Sequence, residues 1–412
     1  MGSLRLALGN AALLTLMLGH FTNDTFAGVL PMLFPTIKDR FGLTNGEVGI
    51  ATLAYTSASS LSQPFFGYLS DRHGRRWYAS TTLVWGATFV AAYGFAGSYS
   101  VFLLLAFLAG IGSGAYHPLG ASNAAAVTDE RYRNAALSLY TVGGTSGYAL
   151  GPLIAAGLLA LFGARGTALL LLPGVLVAAL ILPRMRAVER ARRAGTRLTG
   201  PPPPMIPGAR RMLGRLIVVV ALRSWVFLSV IQFVPIWYDD LGYRSGFYGA
   251  MVTTIILAGA VGTLLGGAMA DRIGQRRIVT LSLVLAVPSL LLFVGLPGPL
   301  ALISGALFGL TCDASLSVTL VAAQRLLPGQ TGMASGVILG LGFITGGVGV
   351  WATGVLADAV GVPTALAIVG LLCLVAAAVA ITVPWDNTGR RAADDEAMLE
   401  AAGVHASPSA SG

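Results

Sequence analysis

The sequence predicts an all-α integral membrane protein, with twelve transmembrane helices in two pseudo-symmetric six-helix bundles and both termini cytoplasmic. Three observations predict it. Of 412 residues, 55% are hydrophobic and 10% charged, whereas a soluble globular chain carries about 25% charged residues. The apolar residues fall into runs of about 20, the length that crosses a bilayer as a helix. A charged loop recurs after the second and the eighth of these runs. The formal net charge of +9 is therefore not a nucleic-acid signal. Its positives are nearly all arginine, and they belong in loops or on faces turned to protein and water.

Taken in order, the runs are 8–35, 46–69, 78–97, 100–125, 134–162, 166–183, 214–238, 246–270, 278–296, 299–326, 331–357 and 360–384. The first is too long for a signal peptide, contains Asp24, and continues to Pro31 and Pro35 without a small-residue cleavage site. It reads as a retained first span. Between the sixth and seventh runs lies a basic segment whose four prolines, 201–204, cannot form regular helix. It divides the chain into a first bundle at 1–183, a cytoplasmic basic, proline-rich linker at 184–213 and a second bundle at 214–384. The polar tail at 385–412 reads as a disordered cytoplasmic appendage. From Arg184 to Arg215 there are nine arginines against Glu189 alone. The loops with Arg72, Arg75 and Arg76 and with Arg272, Arg276 and Arg277 share that side if spans alternate, while "GSYS" and "GLPGP" on the other side carry no charge. The positive-inside rule then sets both termini and the linker in the cytoplasm. Cys312 and Cys373 stand alone in apolar runs and read as small buried hydrophobes, without redox or metal spacing.

The recurring loop reads "FGYLSDRHGRR" at 66–76 and "GGAMADRIGQRR" at 266–277. Asp71 and Asp271 are 200 residues apart, as expected for two copies of one six-span unit. Ordinary positive-inside loops would not repeat at matching positions. The pattern resembles the signature loop of the major facilitator superfamily, over a stretch from residue 8 to 384. The resemblance implies that Asp71, Arg72 and Arg76, and likewise Asp271, Arg272 and Arg277, are conformational latches that do not touch substrate.

The fifth run contains "TVGGTSGYALGPLIAAG" at 141–157. Gly143, Gly147, Gly151 and Gly157 are spaced for close helix packing, and Pro152 bends the middle. The stretch Gly147 to Pro152 is similar to the antiporter motif of the superfamily's drug/proton exchangers, with Ala155 and Ala156 where a glycine pair usually closes it. One departure is clear: the buried arginine of the fourth span in such exchangers is Ala106 here. Together with "HFTND", "GSGAYHP", "RLLPGQTGMASG" and "GVLAD", these stretches look most like the fosmidomycin-resistance family within the superfamily.

An ionisable group at mid-bilayer costs a few kcal/mol or more, so it needs a partner or a task. Away from helix ends there are five: His20 and Asp24 in the first run, His117 in the fourth, Arg223 in the seventh and Asp313 in the tenth. In the resembled family those four spans line the central cavity. His20 and Asp24 are four apart and share a helix face. They can load and release a proton, or Asp24 can serve as a helix–helix clasp, a role that suits Asn23 better. His117 either joins them or satisfies a carbonyl freed by Pro118. Arg223 either holds an anionic group by bidentate hydrogen bonds or pairs with Asp313. Gln232, Tyr55, Gln63, Tyr116, Tyr140 and Trp225 are further candidates for cavity contacts. Asp239 and Asp240 read as a solvated periplasmic edge.

These readings point to a proton-coupled exporter of a small molecule or drug in the bacterial inner membrane, working by alternating access as a monomer. The resemblance implies an anionic phosphonate such as fosmidomycin as one cargo. The proton gradient supplies the energy, with no cofactor, metal or nucleic acid, and no P-loop for ATP is present. The alternatives are a proton symporter importing a small metabolite, or a transport-inactive sensor or binding protein. No HExxH or GxSxG motif suggests an enzyme.

Overall fold

The computed structural model describes residues 2–73, 77–129, 132–192, 209–326 and 331–385. Among them there are helices and turns and no strand. The α-helices in chain order are α1 (Gly2–Leu8), α2 (Ala11–Val29), α3 (Phe34–Phe41), α4 (Asn45–His73), α5 (Tyr78–Ala91), α6 (Tyr99–Ala126), α7 (Arg133–Phe162) and α8 (Leu171–Arg192). They are followed by α9 (Ala209–Asp240), α10 (Ser245–Ile273), α11 (Gln275–Gly295), α12 (Ala301–Asp313), α13 (Leu316–Leu326), α14 (Thr331–Val360), α15 (Val362–Gly370) and α16 (Leu372–Ile381). Nine helical stretches, from Tyr99–Ala126 to Val362–Ile381, are long and apolar enough to cross a membrane. Helices α2, α4 and α5 are not among these nine. α2 carries His20, Asn23 and Asp24, α4 is rich in serine and glycine, and α5 has only 14 residues.

The first apolar run is not one helix ending at Pro35. Asn10 starts α2 by accepting from the Leu13 amide at 3.0 Å, and its side-chain nitrogen donates to the Val127 carbonyl at 2.7 Å. Pro31 and Pro35 lack backbone donors, and the chain tightens there into a 3-10 turn, Leu30–Leu33. It then resumes as α3 and stops at Gly42, whose φ of +63° suits a left-handed helix cap. The expected run 299–326 breaks after Asp313, and 360–384 breaks at Leu371. At the other extreme, α8 passes through Pro183 to Arg192, beyond the boundary at 183. The rest of the central linker, 193–208, and the tail from 386 lie outside the described residues.

Glycines set the closest helix approaches. Gly143, Gly147 and Gly151 of α7 lie against the backbone of α2 at Met17, Phe21 and Thr25. A Cβ on Gly151 would stand 2.7 Å from the Thr25 carbonyl oxygen. Gly157 does not belong to this stripe: nothing lies within 4 Å of a Cβ there. Six residues beyond Gly151, it has turned off the α2 face. On α6, Gly110 and Gly114 abut the α4 backbone at Tyr55 and Ser59. The first half of the chain thus packs α2 against α7 and α6, and α6 against α4. In the second half α10 packs on α12 and α9 on α14. Helix α4 meets α14 and α7 meets α10, and these are the main contacts between the halves, with α9 also touching α3 and the turn Leu30–Leu33.

Candidate functional site

Two polar clusters, the first partly buried on α2 with α6 and the second buried on α9 with α12, lie one in each half. In the first, the four-residue spacing brings His20 Nε2 to 3.3 Å from Asp24 Oδ2. His117, on α6, places its Nε2 at 3.6 Å from Asp24 Oδ1. It therefore faces the carboxylate, where the sequence left open whether it would only satisfy a carbonyl freed by Pro118. Asn23 donates to Asp24 Oδ1 at 2.9 Å and to Ser113 Oγ at 3.4 Å, so it braces the acid and ties α2 to α6. Tyr140 stacks on His20 with ring centroids 4.3 Å apart.

His20 Nδ1 has a partner of its own. It stands 3.0 Å from the Tyr140 carbonyl oxygen, which can only accept, so Nδ1 carries a hydrogen. A neutral ring then has a bare Nε2 facing a carboxylate oxygen. A proton on Nε2 makes the contact a charged histidine–aspartate pair; a bare Nε2 leaves the two groups side by side. Because the three groups combine two imidazoles with a carboxylate, and their ligand atoms lie within 4.8 Å of one another, a divalent ion is the rival occupant. Each carboxylate oxygen addresses a separate nitrogen, and Oδ1 accepts from Asn23 as well.

In the second cluster, Arg223 Nη1 donates to Asp313 Oδ1. Their side chains are 8% and 12% exposed, so the pair is buried. Of the two roles the sequence left open for Arg223, its pairing with Asp313 is the one present. Nη2 donates to Ser224 at 3.1 Å, while Nε is buried with no acceptor. Asp313 is the last residue of α12, and the interruption of the helix after it lets Thr263 of α10 donate to its main-chain carbonyl at 3.1 Å.

Each carboxylate is backed by a glycine that the sequence reading missed. A Cβ on Gly144 of α7 would lie 2.6 Å from Asp24 Oδ2. A Cβ on Gly259 of α10 would lie 2.8 Å from Asp313 Oδ2. Gly144 was visible as the neighbour of Gly143 in the glycine-rich stretch of α7, but only the fold reveals which of the two faces the acid. Nothing in the sequence marks Gly259.

The other candidates separate. Tyr116 donates to the Leu16 carbonyl at 3.3 Å, a tie between α6 and α2. Trp225 donates to Thr353 at 2.9 Å and so joins α9 to α14. Gln232 is buried with its amide oxygen unpartnered, and Tyr55 is buried in α4. Gln63 is half-buried. Asp240 pairs with Lys38 at 3.8 Å, and Asp239 accepts from Tyr248 at 3.4 Å, so this edge also carries contacts. Of the loop residues, Asp271, Arg272 and Arg277 are exposed, at the end of α10 and the start of α11. Asp71 and Arg72 fall in the last turn of α4 with side chains outside the described set, and Arg76 lies outside it altogether.

Comparisons with known proteins bear on the family of the chain. The family model described as the Major Facilitator Superfamily matches residues 16–257 and 216–406. An uncharacterized MFS-type transporter, YfnC, of Bacillus subtilis is 32% identical over 361 residues, covering 85% of this chain and 87% of the relative. The fosmidomycin resistance protein of Escherichia coli is 28% identical over 347 residues, 83% of this chain and 85% of its own. Among solved structures, a bacterial homologue of the human lysosomal transporter Spinster, inward-facing and occupied, superposes with a TM-score of 0.78 at 18% identity, over 90% of this chain and 96% of that one. The D-xylose-proton symporter gives 0.70 at 16% identity, over 93% and 99%. The chain belongs to the major facilitator superfamily. It is a multi-pass membrane transporter of that family, and the fosmidomycin resistance protein is one of its relatives.

Proposed function

We propose that the protein is a proton-coupled exporter that moves a small molecule out across the bacterial cytoplasmic membrane by alternating access. It works as a monomer of twelve spans with both termini inside. The observation that carries this reading is the close histidine–aspartate pair on α2, with His117 facing it from α6. A carboxylate held between two imidazoles passes between a neutral, proton-loaded state and a net negative, emptied one. Histidine titrates near physiological pH, so a modest change of surroundings is enough to load or discharge the group. If each facing state exposes the pair to one side only, protons run down their gradient while cargo leaves.

The cargo site is the second cluster. The buried Nε–H of Arg223 lacks an acceptor, and it is the donor that an anionic oxygen would satisfy. A phosphonate supplies such oxygens, and the name of the Escherichia coli relative concerns resistance to one. Resistance conferred by a transporter is most directly removal of the drug. The orientation rests on the arginine-rich linker and loops.

The test is fosmidomycin accumulation in everted vesicles energised by a proton gradient. Asp24→Asn keeps the shape but removes the titrating group, so accumulation should fall to background while exchange at equal pH persists. Asp24→Asn vesicles that accumulate the drug as well as wild type would make Asp24 a structural clasp and end the coupling proposal. Gradient-driven uptake in right-side-out vesicles would instead mean symport.

A further inference from the structure

The stretch "GVLAD", 354–358, takes no part in either polar cluster, yet its last residue makes the tightest polar contact between the halves. Helix α4 begins at Asn45, and the first amides of a helix have no partner within it. Two residues of α4's own strand of chain form a capping box: Thr44 Oγ1 accepts from the Glu47 amide at 3.1 Å, and Glu47 Oε2 accepts from the Thr44 amide at 2.8 Å. That leaves the amides of Asn45 and Gly46. Both are taken by Asp358 of α14: Asn45 donates to Oδ1 at 2.7 Å and Gly46 to Oδ2 at 2.9 Å. A carboxylate from one half therefore completes the helix start of the other, where the helix dipole favours negative charge.

The backbones are shaped for this meeting. One turn before Asp358, a Cβ on Gly354 would lie 2.9 Å from the Gly46 nitrogen. One turn into α4, a Cβ on Gly49 would lie 2.6 Å from the Trp351 Cα. The row continues inward to Ser60, which donates to the Gly340 carbonyl at 3.0 Å. Two more contacts cross between the halves at the same end: Lys38 with Asp240 at 3.8 Å, and Ser245 donating to the Ala156 carbonyl at 3.4 Å. Glycine four residues before aspartate is also the spacing of Gly67 with Asp71 and of Gly267 with Asp271. Asp71 ends α4 in the way Asp358 ends α14, so the antiparallel α4–α14 pair carries an acid near the C-terminus of each helix.

We propose that Asp358 is the latch of this end of the molecule, periplasmic on the orientation inferred above. It holds the α4–α14 seam shut by capping α4, and it must release Asn45 and Gly46 to water before the halves can part there. It touches neither the Arg223–Asp313 pair nor the His20–Asp24 pair, so it is a positioning residue. The proposal rests on the alternating-access reading but not on its proton chemistry.

The experiment reads the seam directly, without transport. Spin labels are placed at Phe162→Cys and Leu300→Cys, which are 57% and 63% exposed at that end of the two halves. The native thiols are buried and will not compete for label. Distance distributions from double electron–electron resonance should show one dominant short separation in the wild type. Asp358→Asn keeps the shape and removes the charge. It should raise the ratio of long to short separations about tenfold, equivalent to ~1.4 kcal/mol. Asp358→Glu should fall between the two, and Thr44→Ala, which weakens only the helix's own cap, should leave the ratio unchanged. Should Asp358→Asn fail to fold, Asp358→Ser makes the same demand. Unshifted distributions in the charge-removing variant would overturn the latch even if proton-coupled export holds. A shifted ratio in a chain that moves no protons would support the latch and count only against the coupling.

Discussion

Removing one member of the Arg223–Asp313 pair should cost far more than removing both. The pair sits at 8% and 12% side-chain exposure. In Arg223→Met, Asp313 loses its guanidinium partner and is left as a carboxylate against Gly259, where no side chain can approach it. In Asp313→Leu, the guanidinium keeps only Ser224, and its Nε is already unpartnered. A buried charge stripped of its partner destabilises by about 3–5 kcal/mol, whereas replacing both by apolar groups of similar volume is often neutral. The expectation is therefore two strongly destabilised single variants and a double variant within about 1–2 kcal/mol of wild type, a non-additivity that only directly interacting residues produce. Because Cys312 and Cys373 are buried and free, a thiol-reactive fluorophore reads unfolding in detergent as temperature rises. Single variants as stable as wild type would refute the reasoning. They would mean that water reaches both charges and that the pair is a solvated cavity lining.

Two further predictions follow from the packing. Gly144→Ala places a methyl group 2.6 Å from Asp24 Oδ2, against at least 3.4 Å for ordinary contact. Proton-driven transport should fall tenfold or more while Gly157→Ala, with open space around it, transports normally; equal activities would remove Gly144 from the site. Asp271→Asn, at an exposed helix end, should alter turnover more than substrate affinity measured in detergent, as expected of a shift between facing states. A large loss of affinity with unchanged facing would place it in the binding site.

What the sequence disclosed and what it withheld divide along physical lines. Hydropathy located the apolar runs because burial in hydrocarbon acts on every residue of a span. It did not find the breaks at Leu30–Leu33, after Asp313 or at Leu371, which depend on local backbone geometry and on neighbours distant in sequence. The ionisable residues stood out because such groups are expensive in apolar runs, but their partners did not. His117 meets Asp24 across 93 positions, and no spacing rule reaches that far. Gly157 shows the limit in the other direction: it looked like part of the stripe in sequence, yet a six-residue step from Gly151 carries it off the packed face. Asp358 was quoted only as part of a family-like stretch, since its partners are two backbone amides more than three hundred residues away.

The two clusters are mirror arrangements with their signs exchanged, and that exchange bears on how labour is divided. In the first half the acid lies on α2 and the facing base on α6; in the second the base lies on α9 and the acid on α12. Each pair spans corresponding helices of its half, and each acid is seated against a glycine. The bases differ in one decisive respect. Imidazole gains and loses a proton near neutral pH, with a reference value of about 6.5, whereas guanidinium stays charged throughout. A duplicated unit with histidine in both halves would have two equivalent proton sites and no permanent charge for cargo. With arginine in both it would hold two fixed ion pairs and nothing to couple. Under the proposed function, one of each supplies a site that changes charge as it is loaded, and another with an invariant donor for cargo. Arg223→His sharpens the argument without a separate assay. In the same thermal unfolding it should make the second cluster more pH-sensitive near neutrality than in the wild type, because a fixed charge has become a titrating one.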